Sequence, residues 1–157
     1  MNKLRRKPQN VILITSGFEE LSTICFLDQL RNSGRNAKLV GARSGLINGA
    51  RGLTVQPDET LGDLPLEHHL ELLIIPDHVT SIEALLADPR LHRLIQSNVA
   101  NGGRLAILPT IESAMGKAGF LDIIGAPYCT VYQDNNWLDC SRFIHDTWKD
   151  RIDVTPP

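Results

Sequence analysis

The junction between a buried strand and a helix near Pro109 is where this sequence would place a reactive group. Residues 105–108 (LAIL) are bounded by a glycine pair and a proline and predict a buried parallel strand, while residues 111–118 predict a helix packed on a sheet. A nucleophile at such a strand end gains from the helix dipole and from free backbone N–H groups. Pro109 carries no thiol, no hydroxyl and no N–H, so the sequence predicts a junction without a nucleophile.

Other side chains could supply chemistry at the same edge of the sheet. Thr110 could act as a hydroxyl nucleophile, but no base is evident near it, and we expect it to cap the following helix. Asp77, His78 and Glu112 could converge there, because strand-end loops of a parallel sheet share one edge. They could bind a metal or a polar ligand, but no second His stands at ligand spacing, so we expect a polar rim without metal. Cys129 could be a displaced thiol near this pocket, although we favour a buried structural cysteine.

Strands and helices that alternate along the chain must position these side chains. Apolar runs at residues 11–14, 72–75 and 105–108 predict strands of the sheet, and residues 36–41 predict another around Ala37, Leu39 and Val40. Asp88-Pro89 pairs an N-cap residue with a proline at the first helical position, and Asn48-Gly49 is a hairpin signal. We therefore predict an α/β fold, a flavodoxin-like three-layer sandwich with a central, mostly parallel sheet and helices on both faces.

Composition and charge are those of an ordinary globular protein. Apolar residues make up 42% and charged residues 22% of the 157 residues, which excludes disorder and fits one domain with one core. A net charge of −2 and the lack of an apolar run of transmembrane length give no reason to expect a nucleic acid or membrane partner. Three cysteines without CxxC spacing favour the cytoplasm over a disulfide framework. We expect residues 1–9 to be a flexible basic leader and residues 10–157 a single domain.

The predicted helix at about residues 18–32 has apolar side chains on two opposite faces. One face carries Leu21, Ile24 and Cys25, and the other carries Phe26, Leu27 and Leu30. A helix between a sheet and water needs only one apolar stripe. We predict that the second stripe, with Phe26, Leu27 and Leu30, is the contact of a homodimer. The alternative is that the C-terminal segment of the same chain covers it.

Four stretches resemble the ThiJ/PfpI superfamily, within the class I glutamine amidotransferase-like fold. They are VILITSGFEELSTI (11–24), GARSGLINGARGLTVQPDETLGDL (41–64), LLIIPDH (72–78) and GGRLAILPTIESAMGKAGFLD (102–122). The second is the most specific, because many members carry a similar run with G-L-x-V-x-P-D-x-x-L-x-D. The resemblance covers about residues 10–130 and implies the fold predicted above, with a divergent C-terminal segment from about residue 131.

The resemblance implies that the nucleophile of this superfamily is missing here. Active relatives place a cysteine at the strand–helix junction, where this chain has Pro109. They place an acidic residue just after the first strand, against that cysteine. Glu19 and Glu20 match the start of that acidic motif, but Ser22 stands at its last position.

The oxyanion site implied by the resemblance is changed as well. In relatives, a Gly-Gly pair after the third strand offers backbone N–H groups, and this chain has Asp77 and His78 there. A carboxylate at that place would repel a developing oxyanion, and one such donor is worth on the order of 10²–10³ in rate. Many relatives have a His where this chain has Cys129. The joint loss of nucleophile and oxyanion site predicts lost chemistry, and we expect no cofactor.

Three functions are compatible with these observations. The resemblance favours a non-catalytic, dimeric module that binds a small ligand or a protein partner in sensing or regulation. A first alternative is a Cys-independent or degenerate hydrolase, amidase, peptidase or glyoxalase. A second alternative is the ligand-sensing domain of a transcription regulator whose DNA-binding part is not in this chain.

Overall fold

A computed structural model describes residues 9–64, 70–79, 82–107, 109–119 and 129–131. Its strands are β1 (Gln9–Ile14), β2 (Ala37–Gly41), β3 (Ile47–Asn48), β4 (Thr54–Val55), β5 (Glu59–Thr60), β6 (Leu70–Ile75), β7 (Arg104–Ile107) and β8 (Cys129–Val131). Six of them form one sheet in the order β5-β2-β1-β6-β7-β8, in which every pair of neighbours is parallel. β3 and β4 form a separate antiparallel hairpin, as Asn48-Gly49 predicts, although its loop is longer than two residues.

Helices cover both faces of this sheet, so the predicted α/β architecture is confirmed. They are α1 (Glu20–Asn32), α2 (Glu83–Leu86), α3 (Pro89–Ala100) and α4 (Pro109–Lys117), and a 3₁₀ turn spans Leu61–Asp63. Side chains of α1 pack on one face, and those of α2, α3, α4 and the 3₁₀ turn pack on the other. Within the described residues, no helix combines the length and the apolar character that crossing a membrane requires.

The central strands are apolar on both faces because each face lies under helices. In β1, Val11 and Leu13 join the core beneath α3, whereas Ile12 and Ile14 join the core beneath α1. All four side chains are fully buried. A short continuous apolar run is therefore what a doubly covered parallel strand needs, and it is why the sequence identifies these strands.

Helix α1 buries the face that we predicted to be outside. Phe26 and Leu30 are fully buried beneath it, and Leu27 packs against the same core. The prediction that these three side chains form a dimer contact is therefore wrong. The exposed stripe carries Leu21 and Ile24, at 55% and 41% exposure. Both stripes are apolar, so the hydrophobic periodicity does not determine which one faces the sheet. The stripe with the bulkier side chains is the buried one.

Two adjacent glycines turn the chain from α3 into β7 for different reasons. Gly102 has φ of +78°, a conformation that other residues rarely adopt, and no atom lies within 4 Å of a Cβ built on it. A Cβ on Gly103 would instead lie 1.9 Å from the side-chain oxygen of Asn98 and 2.5 Å from the carbonyl oxygen of Leu70. The tight packing of Gly103 against Asn98 and Leu70 fixes the position at which β7 begins, and thereby the position of Pro109 after its carboxyl end.

Candidate functional site

The candidate site lies at the carboxyl edge of the sheet, where the segments that follow β1 and β6 run side by side. Two backbone hydrogen bonds join them, from Val79 N–H to Gly17 O at 2.9 Å and from Glu19 N–H to Asp77 O at 2.7 Å. Phe18 lies between these bonds and is fully buried. The loop after β6 is thereby tied to the start of α1.

Glu19 is the N-cap of α1. Its carboxylate accepts hydrogen bonds from the N–H groups of Leu21 at 3.2 Å and Ser22 at 2.8 Å, and from the Ser22 hydroxyl at 2.5 Å. Nη1 of Arg51, on the hairpin loop, lies 3.7 Å from Oε1 of Glu19. A side-chain cap of this kind stabilises a helix by about 1 kcal/mol. Glu19 and Ser22 therefore both serve the start of the helix.

Glu20 holds the hairpin loop against the start of α1. Its carboxylate accepts hydrogen bonds from the backbone N–H groups of Arg51 and Leu53, the latter at 3.0 Å. A Cβ built on Gly49 would lie 2.5 Å from Cγ of Glu20, so only glycine leaves room for this contact. The two acidic residues that match the superfamily motif are thus both engaged in shaping the backbone.

His78 is a neutral imidazole with both nitrogens occupied. Nε2 accepts a hydrogen bond from Thr15 N–H at 3.1 Å, and Nδ1 lies 2.8 Å from the carbonyl oxygen of Pro76, to which it donates. Only the tautomer with a proton on Nδ1 satisfies both bonds. Burial lowers the pKa of His78 to about 4, from an ordinary 6.5, because the charged form is poorly solvated there. The ring ties the ends of β1 and β6 together and leaves no nitrogen to act as a base.

Asp77 and Glu19 bring two carboxylates near each other at this edge. Burial raises the pKa of Asp77, and the negative charge of Glu19 raises it further. Both effects favour the protonated carboxyl group, which can donate a hydrogen bond. Of the predicted trio, Asp77 and His78 both lie at this edge, and the convergence of Glu112 with them stays a prediction. Glu112 is exposed, and no described residue forms a hydrogen bond or ion pair with it.

Pro109 lies at the strand–helix junction that the sequence predicts. β7 ends at Ile107 and α4 begins at Pro109, the first helical position, where a missing N–H costs no hydrogen bond. Thr110 is the second residue of α4, so the expectation that it caps this helix is wrong. The helix begins two residues earlier than expected because the fixed φ of proline already suits a helical first turn.

Of the three cysteines, the structure describes Cys25 and the backbone position of Cys129. The register of the sheet sets Cys129 beside Leu105 and Val131 beside Ile107. Cys129 therefore lies two residues, or about 7 Å, before the level of the strand end. Its interpretation as a displaced thiol or a structural cysteine stays a prediction. Cys25 on α1 is half-buried at the margin of the core.

The residues brought together do not fit a metal ion. Among the described residues, no group of three or more His, Cys, Asp or Glu side chains is arranged to hold one. What the edge offers is a pair of carboxylates, one with a raised pKa, beside a backbone held by His78. That arrangement can bind a polar group or donate a proton, but it contains no activated nucleophile.

Two contributors to this edge were missed from the sequence. Thr15 supplies the N–H that holds His78, and Arg51 reaches Glu19 from the hairpin loop. Thr15 stands at the end of an apolar run, which is a weak signal that its N–H needs a partner. Nothing in the sequence signals Arg51, because the hairpin loop approaches α1 only after folding.

Comparisons with known proteins agree with this architecture. The model of the DJ-1/PfpI family matches residues 9–132. The chain is similar to oxidised Toxoplasma gondii DJ-1 (TM-score 0.76, 13% identity, covering 92% of this chain and 90% of that one) and to Drosophila melanogaster DJ-1beta (0.73, 13%, 94% and 98%). It also resembles an Anabaena variabilis protein with DJ-1/ThiJ/PfpI-like and ferritin-like domains (0.72, 16%), covering 96% of this chain and 50% of that one. No curated protein matches the sequence.

Proposed function

The chain belongs to the DJ-1/PfpI family, and from that premise we propose that it is a non-catalytic member, a dimeric module of the cytoplasm that binds a small ligand or a protein partner. The family match agrees with the resemblance that the sequence motifs carry. The proposal adds that the architecture is kept while the covalent chemistry is lost.

The observation that carries the proposal is Pro109 as the first residue of α4, directly after β7. The resemblance puts the cysteine of active relatives at this position. A pyrrolidine ring offers no atom that can attack a carbonyl carbon, and proline has no N–H to stabilise a negative charge. The side chain nearest in sequence, Thr110, has no base among the residues that the resemblance aligns with the site.

The loop after β6 supports the same conclusion. His78 stands where the resemblance expects a glycine, and its ring is fixed between Thr15 and Pro76. The pKa of Asp77 is raised by burial and by Glu19, but its charged form would still oppose an oxyanion. A loop built to hold strands together is what we expect of a scaffold rather than of an oxyanion site.

A second copy of this chain is the partner that we propose for the exposed face of α1. Leu21 and Ile24 lie on that face, and Leu53 on the hairpin loop is 40% exposed. Glu20 holds the backbone of Leu53, so the loop and the start of α1 belong to one surface. Two copies related by a two-fold axis could bury these apolar side chains against each other, which gives the homodimer a contact different from the one first predicted.

A residual enzyme is the alternative, and one observation favours it. The raised pKa of Asp77 is a property of many general acids, since it keeps a carboxyl group protonated closer to neutral pH. Such an enzyme would work without a covalent intermediate. It would need a substrate that reacts by proton transfer alone.

Turnover by the purified chain tests the proposal. We would assay methylglyoxal, glutamine analogues and peptides with the wild-type chain and with a variant in which Cys25, Cys129 and Cys140 are all changed to Ser. We expect both proteins to match the buffer rate. Turnover that survives in the variant would establish Cys-independent catalysis, and turnover lost in the variant would establish a thiol enzyme. Either result would overturn the proposal.

A thermal-shift screen of small metabolites tests the binding role. If a ligand occupies the edge near Asp77, the shift it causes should shrink in Asp77→Asn and persist in Lys117→Gln, an exposed side chain of α4. A screen without any binder would remove the small-ligand role and leave the protein-interaction role.

A further inference from the structure

A cavity of about 180 Å³ opens between the 3₁₀ turn and α3, and none of its lining residues belongs to β7 or α4. Its walls combine an apolar floor with two guanidinium groups, from residues Leu61, Gly62, Leu64, Arg90, Arg93 and Leu94. We propose that this cavity binds a small apolar monocarboxylate, with the hydrocarbon part on the leucines and the carboxylate on the arginines. The inference is independent of the proposed function, because it concerns a different site.

The floor of the cavity suits a hydrocarbon group. Leu61, Leu64 and Leu94 are 3%, 7% and 4% exposed and belong to the core beneath α3. Their side chains are fixed by the packing around them, so the floor is formed before any ligand arrives. A rigid apolar floor binds a hydrocarbon without the entropic cost of ordering its own side chains.

Arg90 is fixed at the rim of the cavity. Its guanidinium group donates to the carboxylate of Asp88, from Nη2 at 2.7 Å and from Nε at 3.1 Å, and to Ala42 O at 3.3 Å. Its Nη1 lies 3.2 Å from where a Cβ on Gly62 would stand, so glycine leaves room for the group. Nη1 donates no hydrogen bond to the part of the chain that the structure describes. Nη1 is therefore the nitrogen of Arg90 that remains for a ligand.

Arg93 gives the cavity its net positive charge. It lies one helical turn after Arg90 and is exposed, and none of the described residues pairs with it. Asp88 offsets the charge of Arg90, so Arg93 is the lining arginine without an acidic partner among the described residues. A single negative charge would neutralise it, and a planar carboxylate matches the planar fork of a guanidinium group.

The volume sets the size of the hydrocarbon part. A cavity of about 150 Å³ lined by apolar side chains is known to hold benzene, whereas drug-sized ligands need about 300–1,000 Å³. The 180 Å³ here therefore fits one ring or a short branched chain. Inorganic phosphate would meet the arginines but would leave the leucines unused.

Binding of sodium benzoate to the full chain tests the site. We would titrate benzoate, the neutral isostere benzamide and inorganic phosphate, and follow chemical shifts of α3 amides by NMR. We expect saturable benzoate binding with a Kd of about 1 mM or lower, with the largest shifts near Arg90 and Arg93. Benzamide and phosphate should each bind at least about tenfold more weakly. Benzamide lacks the negative charge that the arginines would bind, and phosphate lacks the hydrocarbon group that the leucines would contact.

Variants separate the site from general charge effects. Arg93→Gln should weaken benzoate binding about tenfold, while Lys117→Gln, which also removes one exposed helix cation, should leave it unchanged. Both changes are on the surface, and circular dichroism checks that both variants fold. Equal binding of benzamide and benzoate, equal binding of phosphate and benzoate, an unchanged Kd in Arg93→Gln, or no benzoate binding would each overturn the proposal.

Discussion

His78 makes the stability of this fold depend on pH in a direction that the structure fixes. In the unfolded chain its pKa is the ordinary 6.5, and in the folded chain burial lowers its pKa to about 4. Between these values the unfolded chain binds more protons than the folded one, so the free energy of unfolding falls as the pH falls. Above pH 6.5 the ring is neutral in both states, and this contribution to stability is fully present.

The size of the effect follows from the same two values. A shift from 6.5 to about 4 corresponds to about 3 kcal/mol, lost progressively as the pH drops through that window. The slope approaches about 1.4 kcal/mol per pH unit in the middle of the window. Below about pH 4 the ring is charged in both states, and no further loss comes from His78.

His78→Gln isolates this contribution. The amide oxygen of Gln can still accept the hydrogen bond from Thr15 N–H, but the side chain does not titrate. We would measure urea unfolding by circular dichroism at pH values from about 7.5 down to about 4.5 in both proteins. Asp77, whose pKa is also shifted, is present in both proteins, so its effect cancels in the difference.

We expect the stability advantage of the wild-type chain over His78→Gln to shrink by about 2.5 kcal/mol across that range, which ends just above the folded pKa. Parallel pH profiles would refute the buried neutral ring. So would a wild-type advantage that grows toward low pH, because that would require a raised pKa.

Three further predictions concern a glycine, a carboxyl group and the exposed face of α1. Gly103→Ala should lower the free energy of unfolding by about 2–3 kcal/mol, since its Cβ would lie 1.9 Å from a side-chain oxygen. Asp77→Asn should stabilise the chain at neutral pH, because the raised pKa means that the charged carboxylate is disfavoured in the fold. This gain should vanish as the pH falls below the ordinary value of 3.8, where Asp77 is protonated in both states. Leu21→Glu with Ile24→Glu should give a monomer by light scattering without loss of folding, because both side chains are exposed.

Matched variants show whether each cause is the right one. Gly102→Ala should lose only about 1 kcal/mol, from its φ of +78°, so a loss equal to that of Gly103→Ala would contradict the steric argument. Asp58→Asn should destabilise the chain, since Asp58 accepts a hydrogen bond from Leu39 N–H and pairs with Arg31; a gain there would show that removing any carboxylate stabilises. Val79→Glu changes an apolar side chain that is 70% exposed outside α1 and should leave the mass of the dimer unchanged. An unchanged mass in the double α1 variant would end the proposed contact.

The fold could be predicted because most of its central strands are short apolar runs bounded by polar residues or proline. The strand at residues 11–14 can be predicted without knowing which strands pair with it, because a strand that is buried on both faces is apolar throughout. Asp88-Pro89 likewise identified the start of α3, because the cap and the first turn are local. Local and one-dimensional signals were therefore sufficient for the architecture.

The site could be predicted only in part, because its contacts join residues far apart in the chain. The sequence located Pro109 at the junction and acidic residues after β1, but not that Glu19 and Glu20 bind backbone N–H groups. Nor could it tell that His78 meets Thr15, 63 positions away. The prediction of which face of α1 contacts the sheet was wrong for another reason. Both faces carry apolar side chains, and only the packing of the folded chain determines which of them is buried.

The central claim is that the junction between β7 and α4 is preserved while its nucleophilic sulfur is missing. The most direct test of this claim is the mass of the intact protein after exposure to iodoacetamide. A background with Cys25, Cys129 and Cys140 changed to Ser would be compared with the same background carrying Pro109→Cys. We predict no adduct in the background, and a single adduct in the Pro109→Cys protein with a thiol pKa below the ordinary 8.5, because residue 109 is the first residue of α4. An adduct on the background protein at the junction, or a Pro109→Cys thiol that stays unreactive, would contradict it.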